Sequence, residues 1–159
     1  MKINIVAVGK IKENFIRTGI EEFLKRLSRY AKIKIMEVKD EKIPSNPSGV
    51  DLERVKEREA DRILKLIPEN SYVIVLAVQG KSMSSEELAK YIQNLMVQGH
   101  GEITFVIGGV VGLHQKVIDA ADFVLSFSHM TFTHQMIRLI LLEQLYRAFK
   151  IIKGEPYHY

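Results

Sequence analysis

The chain contains no cysteine, which excludes disulfide frameworks, thiolate nucleophiles and cysteine-based zinc sites. No apolar run approaches the roughly 18 residues needed to cross a bilayer, so no membrane span is expected. Residues 1–8 carry one lysine and a short apolar stretch without a small-residue cleavage site. That is a poor match to a secretory signal, and the expected location is cytoplasmic. Five scattered histidines give little basis for a metal site. Internal repeats and low-complexity segments are absent, as are a P-loop, a Ser-His-Asp order, a zinc motif and paired carboxylates.

What is present is a globular balance: 159 residues, 47% hydrophobic and 26% charged. That length suits one compact domain spanning residues 1–159. The net charge of +4 is unevenly spread. Residues 1–34 hold nine Lys/Arg, among them Lys25, Arg26 and Arg29, against three acids, while the remainder nets −2. A basic segment of this kind attracts phosphate backbones, although a solvated helix face has the same composition.

Short apolar runs alternate with stretches of helical period, the pattern of βα repeats and a parallel sheet flanked by helices, hence an α/β fold. Strands are expected over residues 3–8, 33–38, 72–78, 103–107 and 123–127. A first helix, marked by Phe15, Ile16, Ile20, Phe23, Leu24 and Leu27, runs through Arg29. Residues 51–66 form a charged helix with a narrow stripe of Leu52, Val55, Ile63 and Leu66. Ser84 and Glu87 have capping-box spacing, starting a third helix before Gly99. A short helix over 115–121 and a final one over 134–150 complete the chain, the latter capped by Thr133.

Two loops stand out as ligand sites, because parallel sheets bind at the carboxyl ends of their strands. One is Ile107-Gly108-Gly109-Val110-Val111-Gly112, where glycines allow close backbone approach to a ligand or serve a tight turn. Its spacing is not the dinucleotide fingerprint. The other is the polar, non-periodic stretch from Leu125 to His134, which leaves the next strand end and would lie beside the glycines. The last helix carries His134, Arg138 and Arg147, with Glu143 placed to pair with either arginine. Beyond it, Pro156 stiffens a tail presenting Tyr157, His158 and Tyr159.

Taken together, Phe105-Val106-Ile107-Gly108-Gly109, Leu125-Ser126-Phe127-Ser128, Thr131-Phe132-Thr133-His134-Gln135-Met136-Ile137-Arg138, Glu143-Gln144-Leu145-Tyr146-Arg147-Ala148 and Pro156-Tyr157-His158 resemble the RlmH family. These are the pseudouridine N3-methyltransferases of large-subunit ribosomal RNA, within the SPOUT superfamily. The likeness also takes in Ala7-Val8-Gly9-Lys10 and Gln79-Gly80-Lys81, and so covers essentially the whole chain. It implies a SPOUT α/β-knot, in which a C-terminal trefoil knot departs from the usual rule against threading.

The same resemblance implies S-adenosyl-L-methionine as methyl donor, no metal, an obligate homodimer in which each tail completes the partner's site, and a pseudouridine of 23S rRNA in the assembled ribosome as substrate. By position it places the donor contacts on Leu76, Gly108, Phe127, Ser128, His129, Met130, Thr131 and Phe132. It makes His158 the first candidate for base or proton shuttle, Arg147 and Arg138 candidates for holding the anionic base or a phosphate, Tyr157 for stacking, and His134 for orienting the loop. Ala77, Val110, Val111, Thr133 and Tyr159 depart from the family's usual residues. A non-catalytic ribosome-binding module and a SPOUT enzyme acting on tRNA are the alternative readings.

Overall fold

The computed structural model describes residues 1–158; Tyr159 lies outside the described residues. Five parallel strands, β1 (Lys2–Val8), β2 (Lys32–Val38), β3 (Tyr72–Ser82), β4 (Glu102–Ile107) and β5 (Phe123–Ser126), form one sheet in the order β2-β1-β4-β3-β5. The helices are α1 (Asn14–Leu27), α2 (Gly49–Leu66), α3 (Ser85–Val97), α4 (Gln115–Asp119) and α5 (His134–Ile152). α5 packs between α1 and α3 on one face, while α2 and α4 cover the other.

Alternation along the strands divides the core in two. Ile3, Ile5, Ala7, Phe105 and Ile107 face α1, α3 and α5, whereas Val6, Val8, Val106, Val73 and Val75 face α2 and α4. The large aliphatic and aromatic side chains lie toward α5, the valines toward α2. Gly19 lets α5 close on α1, because a Cβ there would stand 2.9 Å from Leu139 Cδ1.

Boundaries differ from the sequence reading where a local feature overrides periodicity. α2 begins two residues earlier because Ser48 and Asp51 form a reciprocal capping box. Its stripe is also shifted: Leu66 is 37% exposed, and Glu59 is buried beside Val55 and Ile63. β3 runs on to Ser82 through an irregularity between Leu76 and Lys81, resuming its pairing with β5 at Lys81–Leu125. Gly80 makes this possible, since a Cβ there would come within 2.7 Å of the Val124 backbone.

Candidate functional site

The carboxyl ends of β3, β4 and β5 converge on a pocket of about 420 Å³. Leu76, Ala77 and Val78 line it from β3, residues 107–113 from the glycine turn, and Phe127, Ser128, Met130, Thr131 and Phe132 from the loop after β5. His134 and Ile137 close it from the first turns of α5. The turn is compact: the Gly112 N–H donates to Gly109 O at 3.1 Å, and Gly112 has φ +84°. A Cβ on Gly108 would meet Leu113 Cγ at 2.8 Å, and one on Gly109 would meet Val8 Cγ1 at 2.9 Å. The glycines therefore serve packing and pocket at once.

The loop after β5 is shaped by serines. Ser126 donates to Ser128 O at 3.1 Å, and Ser128 Oγ accepts the Met130 N–H at 2.9 Å. Val78, Val110, Met130 and Phe132 are exposed around the mouth as an apolar rim. His129 is exposed and does not line the pocket. The mainly apolar walls and the volume suit a flat heteroaromatic ligand with a polar tail.

The expected catalytic residues fall into two groups. His134 and Arg138 lie at the start of α5. The His134 ring packs over Gly9, and burial, with the Arg138 charge, pushes it below its ordinary value. Arg138 is 2% exposed, paired with Glu37 Oε2 at 2.7 Å and donating to Gly9 O at 3.2 Å. From there it anchors α5 to the ends of β1 and β2 and is not at the surface. Gln135 adds a second tie by accepting the Lys12 and Glu13 N–H groups.

Arg147, Tyr157 and His158 form the other group. Gly154, with φ +65°, ends α5 and turns the tail back along it. Tyr157 packs edge-on against Tyr146 with centroids 4.8 Å apart, beneath the Arg147 guanidinium at 4.8 Å, and its hydroxyl donates to Glu143 Oε1 at 3.1 Å. Burial and the Glu143 charge push the phenol up. Glu143 takes Arg147 as its partner and leaves Arg138 to Glu37. His158 lies between Arg147 Nη1, 3.2 Å from its Nδ1, and Glu86 Oε1, 2.6 Å from its Nε2. Glu86 was not visible as a partner in the sequence, where it reads as an ordinary acidic first-turn residue of α3. None of the tail cluster lines the pocket of its own chain.

The family model described as "Predicted SPOUT methyltransferase" matches residues 1–158. The chain belongs to the SPOUT methyltransferase family. Among SPOUT relatives it is 69% identical to a protein of Halothermothrix orenii named ribosomal RNA large subunit methyltransferase H, over 99% of both chains. Proteins of the same name from Clostridioides difficile and Acetivibrio thermocellus are 56% and 54% identical, again over 99% of each chain. A solved structure titled as a probable methylase family protein from Haemophilus influenzae has a similar fold, with TM-score 0.53 at 13% identity over 99% of this chain and 70% of that one. Among the described residues no helix is long and apolar enough to cross a membrane, and no group of three or more His, Asp or Glu side chains is placed to hold a metal ion.

Proposed function

We propose that this SPOUT methyltransferase acts as a homodimer and transfers a methyl group from S-adenosylmethionine to N3 of a pseudouridine in 23S rRNA of the assembled ribosome. The observation that carries the reading is the separation of two half-sites within one chain. A glycine-walled pocket suited to the donor lies at the strand ends, and the Arg147–Tyr157–His158 cluster lies outside it. A second chain, with its tail laid over the first chain's pocket, unites them. Gly80, where a side chain would meet the β5 backbone, fits the threaded C-terminal half that the family implies.

The pocket fits the donor on the chain's own geometry. Leu76, Ile107, Leu113, Phe127 and Ile137 offer apolar walls, and the bare backbone at Gly108 leaves room that a side chain would take. Leu76, Gly108, Phe127, Ser128, Met130, Thr131 and Phe132 would hold it, whereas His129, expected among the contacts, lies outside the pocket lining. Bound there, S-adenosylmethionine supplies a methyl group made electrophilic by its sulfonium.

The chain must then remove the N3–H of the acceptor. His158 takes that proton or relays it. Arg147 stabilises the anion left on the base, with its charge maintained by Glu143. Tyr157 supplies an aromatic face and a hydroxyl for the splayed nucleotide. His134 orients the loop on the far wall, and Arg138 fixes α5, the helix that carries Arg147 and leads into the tail.

Complementation tests the shared site. Chains carrying His158→Ala are mixed with chains carrying Gly108→Val, and methyl incorporation into ribosomes lacking the modification is measured. Each variant alone is strongly impaired, and the mixed dimer regains one working site from an intact pocket and an intact tail. No recovery on mixing would exclude a tail acting across the dimer. Offering tRNA in place of ribosomes separates this reading from an enzyme of another RNA.

A further inference from the structure

The buried face of α2 carries a single carboxylate. Glu59 is 4% exposed and occupies the apolar stripe between Val55 and Ile63. Its Oε2 accepts the Glu41 N–H at 2.9 Å, tying α2 to the segment that leaves β2. Its Oε1 has no hydrogen-bond partner among the described residues. That oxygen faces the glycine turn, since a Cβ built on Gly109 would lie 3.5 Å from it. Gly109 is part of the pocket wall, as is Lys56 one helical turn before Glu59. Burying a carboxyl with unused bonding capacity is costly, and an apolar residue would fill this stripe more cheaply. Departures of this sort concentrate where a site needs them.

We propose that Glu59 is a positioning residue for the pocket: wedged between α2 and Gly109, its buried carboxyl holds the 108–112 turn in the shape that admits the methyl donor, and its free oxygen is the seat onto which the turn's backbone settles. This rests on the reading of the pocket as the donor site. Burial pushes Glu59 up, and the Asp40 and Glu41 charges add to it, against the Glu41 N–H bond and the Arg62 charge, which pull it down. The charged groups around it are thus Asp40 and Glu41 after β2 and Arg62 on α2, with Lys56 and His134 on the pocket side. Burial thus favours the uncharged form of the carboxyl, which lessens the cost of a desolvated charge against the turn.

Two variants separate shape from mere stability. Glu59→Gln keeps the size and an acceptor oxygen but cannot ionise, whereas Glu59→Ala removes the wedge. Amide hydrogen exchange of residues 108–112 is measured in the free full-length chain, and S-adenosylhomocysteine affinity by calorimetry across pH. Glu59→Ala speeds exchange of the turn and weakens affinity, each by about tenfold. Glu59→Gln restores most of both and flattens the pH dependence of affinity that the parent chain shows as Glu59 ionises. His134 is present in every variant and cannot produce that difference.

The proposal is overturned if Glu59→Ala leaves turn exchange and affinity unchanged, or if Glu59→Gln is as impaired as Glu59→Ala. Should Glu59→Ala fail to fold, a Glu59→Gln affinity profile parallel to the parent's is the overturning result. Failure of the parent chain to bind S-adenosylhomocysteine would remove the donor assignment instead, and exchange of the turn in the free chain would still decide the role of Glu59.

Discussion

Arg147 Nη1 lies 3.2 Å from Nδ1 of His158. A guanidinium only donates, so the imidazole presents its lone pair at Nδ1 and carries its proton on Nε2, where Glu86 accepts it. Within one chain the ring is therefore engaged on both sides. Glu86 gains from the contact as well, its own backbone N–H and then His158 holding its carboxyl below the usual range.

Removing either side chain of this pair separates chemistry from donor binding. His158→Ala and Arg147→Ala each slow single-turnover methyl incorporation by about 10²-fold or more, the scale of lost acid–base or electrostatic assistance. Affinity for S-adenosylhomocysteine stays within about twofold, because the pocket walls come from β3, the glycine turn and the loop after β5, and both side chains are assigned to the acceptor base. Normal methylation rates in both variants would reject these roles.

Lys25, Arg26 and Arg29 lie exposed along the end of α1 and beyond it. Changing all three to glutamate weakens RNA binding and lowers the slope of log affinity against log salt by about 0.7–0.9 for each phosphate that is no longer neutralised. Donor affinity is untouched. Unchanged RNA affinity would show that this patch does not face the ribosome. Arg26 also stacks on Phe23 and Tyr146, at 5.1 and 5.7 Å from the ring centroids, so the thermal midpoint is recorded alongside.

His134 makes folding stability sensitive to mild acid. Its folded value is depressed, first by burial and then by Arg138, so the unfolded chain binds the proton more readily. The stability it contributes is complete above the ordinary histidine value near pH 6.5 and is lost as pH falls through that value toward the folded one. Urea midpoints taken between about pH 7.5 and 5 should fall, and less steeply in His134→Asn. Parallel slopes would remove His134 as a cause.

Gly80→Ala tests the close approach of the β3 and β5 backbones. The added methyl carbon meets Val124 C and O at 2.7 Å, and backbone atoms cannot rotate away. A loss of about 1–3 kcal/mol or more in denaturant unfolding is expected, the usual cost of overpacking. Donor affinity should fall with it, because residues 76–79, just before it on β3, form a wall of the pocket.

Much of this was legible in the sequence because the signals are local. The valine- and isoleucine-rich runs locate β1, β2 and β4 to within a residue, and Ser84 with Glu87 and Thr133 before His134 mark helix starts that the structure reproduces. The two loops at strand ends were identifiable because glycine and polar clusters break periodicity there. The strand order was not, since it depends on which runs pair across long separations. Arg138 read as a cation available to the anionic base or a phosphate because nothing near it in sequence announces Glu37, 101 positions away. Glu59 was hidden by its type: charge suggested a solvated face, although its spacing of four from both Val55 and Ile63 set it in the stripe.

Where β3 and β5 touch through bare backbone at Gly80, the molecule has no slack. A residue inserted at 77–80 would have to be absorbed by the pocket wall itself, whereas the exposed stretch at 42–48 stands clear of both core layers. Anyone splicing a fluorescent label or an epitope into this protein should therefore choose the latter stretch and leave the former at its present length.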